Sequence, residues 1–430
     1  IWSRLVGSEM CIRDRISDSL THKNVVCPFC SLHCDDLEIN VYDNKLYVKD
    51  NIPKTCASKF EQLNLPIFRE MPATVKGKPC ETKKAYQYSR RLIKESKETI
   101  FLNSSVDVNI TREALSAASK VNGIIDHVNS SIFLKNISIY QRRGYMATSL
   151  TEIKNKSDVI IVFSNNLFKT YPRLMEKYLA TNDSFSINPK NKKIYVIGKQ
   201  TSNKKDCDFK DKRITYIDFN NKNISELLTC LANKKNTTSI SNKIFNMLIT
   251  SIENCKYLSI LWATSEFNGY KECDEIIYNI SAYVVSLNKT MRAACLSLAG
   301  NDGDVSFSQT LGWMSGFPSR IKFTGNFFEY DKDSHNASHL INSGNSDLVI
   351  YLNSLSEKKL ILNKKNKNIV IGRPFTKYNI EPDVFIPCGI PGVDFKGHIF
   401  RTDNVVSLPL SSLRLSHSKS VQQVLREIII

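Results

Sequence analysis

Eight short apolar runs, most of them uninterrupted, constrain this chain more than any other feature. They fall at 100–102, 159–163, 194–197, 214–217, 258–262, 348–352, 369–371 and 384–386. A strand with one wet face alternates apolar and polar residues, whereas a strand covered on both faces reads as a continuous apolar run. Helical patterns lie between the runs, at Ala85, Tyr88 and Leu92, and at 111–120, 224–231, 245–252 and 273–283. Thr111 is the expected N-cap of the second, with Gly123 near its C-terminal end. Strands alternating with helices predict α/β architecture with largely parallel sheets.

At 430 residues, the chain has material for about two or three domains. No apolar run approaches the roughly 18 residues that a membrane helix requires, so a soluble, cytoplasmic protein that engages no membrane is expected. The Asn- and Lys-rich stretches at 201–212, 232–243 and 353–368 read as surface connections, and a domain seam is expected near 235–255. The opening IWSRLVGSEMCIRDR, residues 1–15, has neither an amphipathic period nor a signal-peptide layout. It reads as a non-native leader and is set aside with Cys11.

The net charge of +17 raises a nucleic-acid reading, but the lysines are thinly spread among Asn and Ile. No helix-turn-helix, zinc-finger or RNA-recognition pattern accompanies them. A solvated basic surface is expected, with an anionic small partner as the alternative and no nucleic acid.

Seven of the twelve cysteines are scattered, as suits a reducing compartment. Four are not: Cys27, Cys30 and Cys34 give C-x2-C-x3-C, and Cys56 follows alone. Three close ligands and one distant one suit a loop wrapped around a [4Fe–4S] cube. Zinc sites more often use two C-x2-C pairs, so zinc and an empty inherited site stand as the alternatives. His33 is expected to be an exposed loop residue. Asp35 and Asp36 are expected to cap the turn into a strand at 37–41. His127 beside Asp126 has no nucleophile elbow to serve and reads as structural. Gly300, Asp302 and Gly303 lack P-loop and G-x-G-x-x-G spacing and read as a plain turn.

Four blocks in fixed order carry a resemblance: CPFCSLHCDDLEI at 27–39, NKSDVIIVFSNNLFKTYPRLMEKY at 155–178, FSQTLGWMSGFP at 307–318 and PDVFIPCGIPGVDFKGHIFRTDNV at 382–405. On them the chain resembles the formylmethanofuran dehydrogenase B-subunit family of the molybdopterin oxidoreductase superfamily, and within it the B subunits of methylotroph formyltransferase/hydrolase complexes. The resemblance implies a molybdopterin-oxidoreductase-like fold with a small Fe–S-type region and two Rossmann-like domains, one inserted in the other. No C-terminal β-barrel domain is expected, since a separate small subunit supplies it. The expected organisation is a leader at 1–15, a cysteine-cluster region at 16–75, an α/β domain from 76–131 and 251–430, and an inserted α/β domain at 132–250. Pro172 and Arg173 fall where the family's second sheet begins, residues 307–318 where a pterin loop runs, and Lys59 where a basic residue links cluster to pterin.

In the metal-dependent relatives, a cysteine or selenocysteine that ligates tungsten or molybdenum is followed by a histidine. Those positions fall here on Ile132 and Phe133, which can neither ligate a metal nor move a proton. Ser130 or Ser131 could stand in only after an alignment shift. AACLSLAGNDGDV, between Arg292 and Phe307, reads as an insertion where redox relatives carry a shorter polar stretch. The resemblance therefore implies no catalytic residue in this chain, the absence of molybdopterin, tungsten and molybdenum, and a scaffold role. Its expected partners are the A, C and D subunits of the complex and a methanofuran-type carrier with a polyglutamate tail. The complex would release formate from formyl-tetrahydromethanopterin. The alternative is an active Mo/W-pterin, Fe–S oxidoreductase chain.

Overall fold

The computed structural model describes residues 20–49, 52–65, 71–199, 211–299, 302–416 and 418–429. The expected leader at 1–15, most of the connection at 201–212, and Gly300 lie outside the described residues. All eight apolar runs are strands, and they divide between two sheets. The smaller sheet is wholly parallel, in the order Ile214–Ile217, Lys193–Ile197, Val159–Phe163, Tyr257–Ala263 and Arg292–Leu298. Among the described residues the larger has nine strands. Its five parallel members run Ile124–His127, Thr99–Ser105, Leu348–Asn353, Lys367–Gly372 and Val384–Pro387. Antiparallel hairpins flank them, Ile321–Thr324 with Phe327–Tyr330 on one side and Ala73–Val75 with Lys78–Cys80 on the other. The chain is thus mixed α/β with parallel-sheet domains. Every residue of Thr99–Ser105, Val159–Phe163, Tyr257–Ala263 and Leu348–Asn353 is buried, because helices and loop segments cover both faces of each sheet.

One face of the five-stranded sheet packs against the helices Ile224–Asn233, Asn242–Glu253 and Cys273–Leu287, and the other against residues 171–180. The nine-stranded sheet is covered on one side by Thr82–Glu95, Val108–Lys120, Asp304–Ser315 and Val421–Ile428. Asp107, not Thr111, caps Val108–Lys120, its carboxylate accepting the Ile110 N–H at 2.8 Å. Thr111 lies inside the helix with its hydroxyl donating to the Asp107 carbonyl at 2.9 Å. Gly123 passes so close to the first central strand that a Cβ there would lie 2.9 Å from the Thr99 carbonyl.

The seam expected at 250/251 falls within one sheet. Tyr257–Ala263 pairs with Val159–Phe163, and Arg292–Leu298 pairs beyond it, so the five-stranded unit extends to Leu298. The polar stretch at 232–243 joins two helices of that unit. Its other boundary moves too, because the helix Ser130–Arg143 spans 131/132 and contributes Ile139 to the same core. AACLSLAGNDGDV is not simply an inserted loop, since its first half is the buried strand Arg292–Leu298. A boundary at 75 likewise divides the hairpin Ala73–Cys80. The cysteine region itself is a three-stranded antiparallel sheet, Leu20–Val25, Leu37–Tyr42 and Lys45–Val48, followed by the helix Lys54–Glu61. It shares its core with Ile390, Val393, Ile399, Leu410 and Leu413 near the C-terminus. Among the described residues no helix is long and apolar enough to cross a membrane.

Candidate functional site

Strand Leu20–Val25 delivers the chain into a tight loop closed by two backbone bonds, Cys27 N–H to the Cys34 carbonyl at 2.8 Å and His33 N–H to the Cys30 carbonyl at 2.9 Å. His33 holds a left-handed conformation, φ 42°, and its Nδ1 donates to the Cys27 carbonyl at 3.0 Å, which fixes the tautomer. Contrary to expectation it is buried. Burial pushes its pKa down to about 4, so the ring is neutral and acts as a brace for the loop. Cys56 comes from the first turn of Lys54–Glu61, and Lys59 follows three residues later on the same helix. The structure brings all five predicted site residues, Cys27, Cys30, Cys34, Cys56 and Lys59, to the lining of one small pocket, with Leu32, Leu37, Pro172 and Arg173.

Asp35 and Asp36 do more than cap a turn. The Arg173 guanidinium forks onto both Asp36 oxygens at 2.7 and 2.8 Å and its Nε reaches Glu176 at 2.5 Å. Lys177 lies 3.1 Å from both Asp35 and Asp36. Burial works against the Asp36 carboxylate, yet Arg173 and Lys177 outweigh it and hold its pKa below the ordinary value. Pro172 and Arg173 do not begin a sheet, as was expected. They follow strand Val159–Phe163 and clamp the cysteine loop onto the five-stranded unit. Sequence reasoning missed Arg173 and Lys177 in this role. The available signal was a pair of cations four residues apart, a helical spacing that can meet two adjacent acids.

Burial raises all four thiol pKa values, Cys30 to about 11, Cys34 to about 12, and Cys27 further. Lys59 opposes this at Cys27, Cys30 and Cys56, while Lys177 and Arg173 oppose it at Cys34. The pocket therefore protonates its thiols when empty, and it is ringed by cations that favour an anionic occupant. Among the described residues, no three or more His, Cys, Asp or Glu side chains are set to hold a single metal ion. Mononuclear zinc would need its sulfurs about 2.3 Å from one point. A cubane spreads its four ligands over four irons and suits thiols that line a pocket without converging on one centre.

A second site lies between the sheets. A cavity of ≈ 400 Å³ opens at the carboxyl ends of Tyr257–Ala263 and Arg292–Leu298, and Ile132 and Phe133 line it with Asn136, Ser297, Asp304 and Asp403. Crevices beyond the carboxyl ends of parallel strands are where open α/β sheets take ligands. Ile132 and Phe133 sit in the first turn of Ser130–Arg143, and among the described residues no cysteine or histidine lines the cavity. The serine substitutes are already engaged. Ser130 Oγ accepts from Ser319 at 2.9 Å, and Ser131 Oγ accepts from Arg320 Nη2 at 2.7 Å.

His127 is structural. It is buried, its Nδ1 accepts the Asn129 N–H at 3.0 Å and its Nε2 donates to the Asp302 carbonyl at 3.1 Å. Asp126 accepts from the His127 and Ala337 amides and from Ser319. Residues 307–318, expected as a loop, are mostly the helix Asp304–Ser315, with Phe307 fully buried and 5.0 Å from the His127 ring. Gly303 precedes that helix with φ 70°. Sequence reasoning also missed a cavity of ≈ 380 Å³ at the carboxyl ends of Thr99–Ser105 and Leu348–Asn353, lined by Ser104, Asn353 and Lys358 among others. Its one signal was the polar Asn353-Ser354 that ends an apolar run.

No family model matches the chain. It is 22% identical over 405 residues to the B subunit of the tungsten-containing formylmethanofuran dehydrogenase 2 of Methanococcus maripaludis, covering 89% of this chain and 92% of that protein. It is 23% identical over 404 residues to the corresponding protein of Methanocaldococcus jannaschii, with the same coverage of 89% and 92%. A chain in the crystal structure of the formyltransferase/hydrolase complex (FhcABCD) from Methylorubrum extorquens, solved with methylofuran, superposes with a TM-score of 0.65 at 17% identity, over 83% of this chain and 97% of that one. The resemblance carried by the four sequence blocks is thus borne out over nearly the whole chain.

Proposed function

We propose that this chain is the B-type component of a formyltransferase/hydrolase complex in one-carbon metabolism, and that it serves as a scaffold without redox catalysis of its own. The observation that carries the reading is the pair Ile132 and Phe133 at the helix start on the inter-sheet cavity, the positions at which the sequence resemblance implies a metal-ligating cysteine or selenocysteine and a histidine in redox relatives. An apolar aliphatic and a phenyl ring give a tungsten or molybdenum pterin neither a ligand nor a proton relay. The complex would include A, C and D subunits and a methanofuran-type carrier, and the formyl chemistry would belong to those other subunits.

The cysteine pocket is assigned to a [4Fe–4S] cluster held by Cys27, Cys30, Cys34 and Cys56. Bound there, the cluster would supply a compact cross-link of the N-terminal region. Arg173, Lys177 and Lys59 would offset its negative charge, and His33 would keep the loop open to it. Purification with the products of the neighbouring genes, without oxygen, tests both parts. About four irons per chain, no molybdenum or tungsten, and formate release without dye reduction are expected. One molybdenum or tungsten per chain would sink the scaffold reading, and an iron-free native complex would sink the cluster assignment.

A further inference from the structure

The nine-stranded sheet treats its two ends differently. At one end the outermost strand, Lys78–Cys80, carries Lys78 and Pro79. A lysine and a residue without an N–H are standard means of refusing a further strand. At the other end the outermost strand is Phe327–Tyr330, which has no lysine or proline. All four of its residues pair inward with Ile321–Thr324, and no described strand pairs with its outer side. Phe327 is 80% exposed and Phe328 42%. Phe317 stacks on Tyr330 with ring centres 4.9 Å apart and meets Phe328 edge-on at 6.5 Å, so the hairpin is held in place from behind. Just before Phe317, Trp313 and Met314 are also exposed. An unguarded edge beside exposed aromatic residues is a template for another strand.

A second copy is a poor occupant. Each copy carries +17, and edge-to-edge pairing would bring two strongly basic molecules together. The only charged side chain on the strand, Glu329, lies 3.4 Å from His335, and this single carboxylate, already counted in the net charge, leaves that repulsion in place. We propose that the outer edge of Phe327–Tyr330 receives an extended strand from a different, acidic subunit, which adds a tenth strand to the sheet and covers Phe327. The backbone ladder would supply affinity, the exposed rings would select apolar residues at alternate positions, and the opposite net charge would favour encounter. This inference rests on the reading of the chain as one component of a complex.

The test compares the chain alone with the complex purified from cells that co-express its neighbouring genes, by native mass spectrometry and amide hydrogen exchange. The outward-facing amides among 327–330 should become protected in the complex, and Phe327→Lys should weaken assembly about tenfold or more. An 80% exposed ring is not needed for folding, and Phe185→Lys, at 85% exposure elsewhere on the surface, should leave assembly unchanged. If the complex forms but those amides exchange as before, or Phe327→Lys assembles normally, the edge assignment is overturned and the reading as a complex component stands. Absence of any complex overturns both. A dimer of this chain alone that Phe327→Lys dissolves overturns the choice of a different protein as occupant.

Discussion

Adding one methyl group at Gly303 should be among the most damaging small changes available to this chain, whereas the same change at Gly312, nine residues on in the same helix segment, should be harmless. At Gly303 the backbone is left-handed, φ 70°, and a Cβ would lie 2.0 Å from the Val106 carbonyl oxygen, with Val106 N and C both at 3.1 Å. These obstacles are backbone atoms at the end of the central strand Thr99–Ser105, so no side chain can swing aside. Holding alanine left-handed costs roughly 1–2 kcal/mol, and forcing the strand and helix apart adds about 1–3 kcal/mol. The expected loss for Gly303→Ala is about 2–5 kcal/mol. At Gly312 an added Cβ meets nothing within 4 Å, so Gly312→Ala should gain roughly 0.5–1 kcal/mol from the higher helix propensity of alanine. Urea unfolding followed by circular dichroism reads both as midpoint shifts of opposite sign at unchanged slope. A Gly303→Ala midpoint equivalent to less than about 1 kcal/mol of loss would refute the close approach of helix to strand.

Asp107 is buried, and its carboxyl is pushed up from 3.8 to about 6 by burial against the opposing help of the Ile110 and His398 amides. With a raised folded pKa, its favourable contribution is present below about pH 4 and declines as pH rises to about 6. The stability difference between wild type and Asp107→Asn should therefore shift by about 3 kcal/mol against wild type between pH 3.5 and 7; a flat difference across that range refutes the assignment. Arg173→Ala should cost about 1–2 kcal/mol, since the fork is buried at Arg173 but Asp36 is 43% exposed, and should lower iron retention, with Arg173→Lys restoring only part. Unchanged iron content in Arg173→Ala would show that the clamp does not serve the pocket. Ile132→Cys with Phe133→His should not create formyl oxidation, because a metal site also needs an oriented surrounding shell; dye-linked activity in that variant would show a surviving pterin pocket. Reversing Lys364, Lys365 and Lys367 to Glu should change stability by less than about 1 kcal/mol, since even Lys367, 3.4 Å from Asp383, is exposed. If this patch holds the anionic carrier tail, carrier retention at low salt should fall in the variant, and unchanged retention removes the patch from consideration.

Most strands visible in the sequence were those buried on both faces, where little that is polar interrupts the run. Ile124–His127 escaped because half of it is Asp126 and His127, polar residues whose partners lie in distant loops. Arg292–Leu298 escaped because its small residues, Ala293, Ala294 and Ser297, look like a loop until a neighbouring strand is known. The four thiols could be grouped because metal ligation leaves a spacing signature, which a charge clamp does not. Asp36 and Arg173 stand 137 positions apart, and only the tertiary fold brings them together. The cap of Val108–Lys120 was misplaced by four residues because Val108 and Ile110 open the helix with β-branched residues, which read as extended chain.

The pairing of Thr99–Ser105 with Leu348–Asn353 at the centre of the large sheet sets a timetable for the ribosome. The first strand is synthesised roughly 250 residues before its neighbour, a delay of about 10–50 s at 5–20 residues per second. The whole five-stranded unit, from Val159–Phe163 to Arg292–Leu298, is translated within that interval and can close its own parallel sheet first. The seven buried residues of Thr99–Ser105 meanwhile have only Ile124–His127 available beside them. The nascent chain is therefore most exposed to aggregation between the completion of the five-stranded unit and the arrival of Leu348–Asn353. Slow codons placed after residue 353 would protect nothing, whereas a pause before residue 348 would lengthen the hazard.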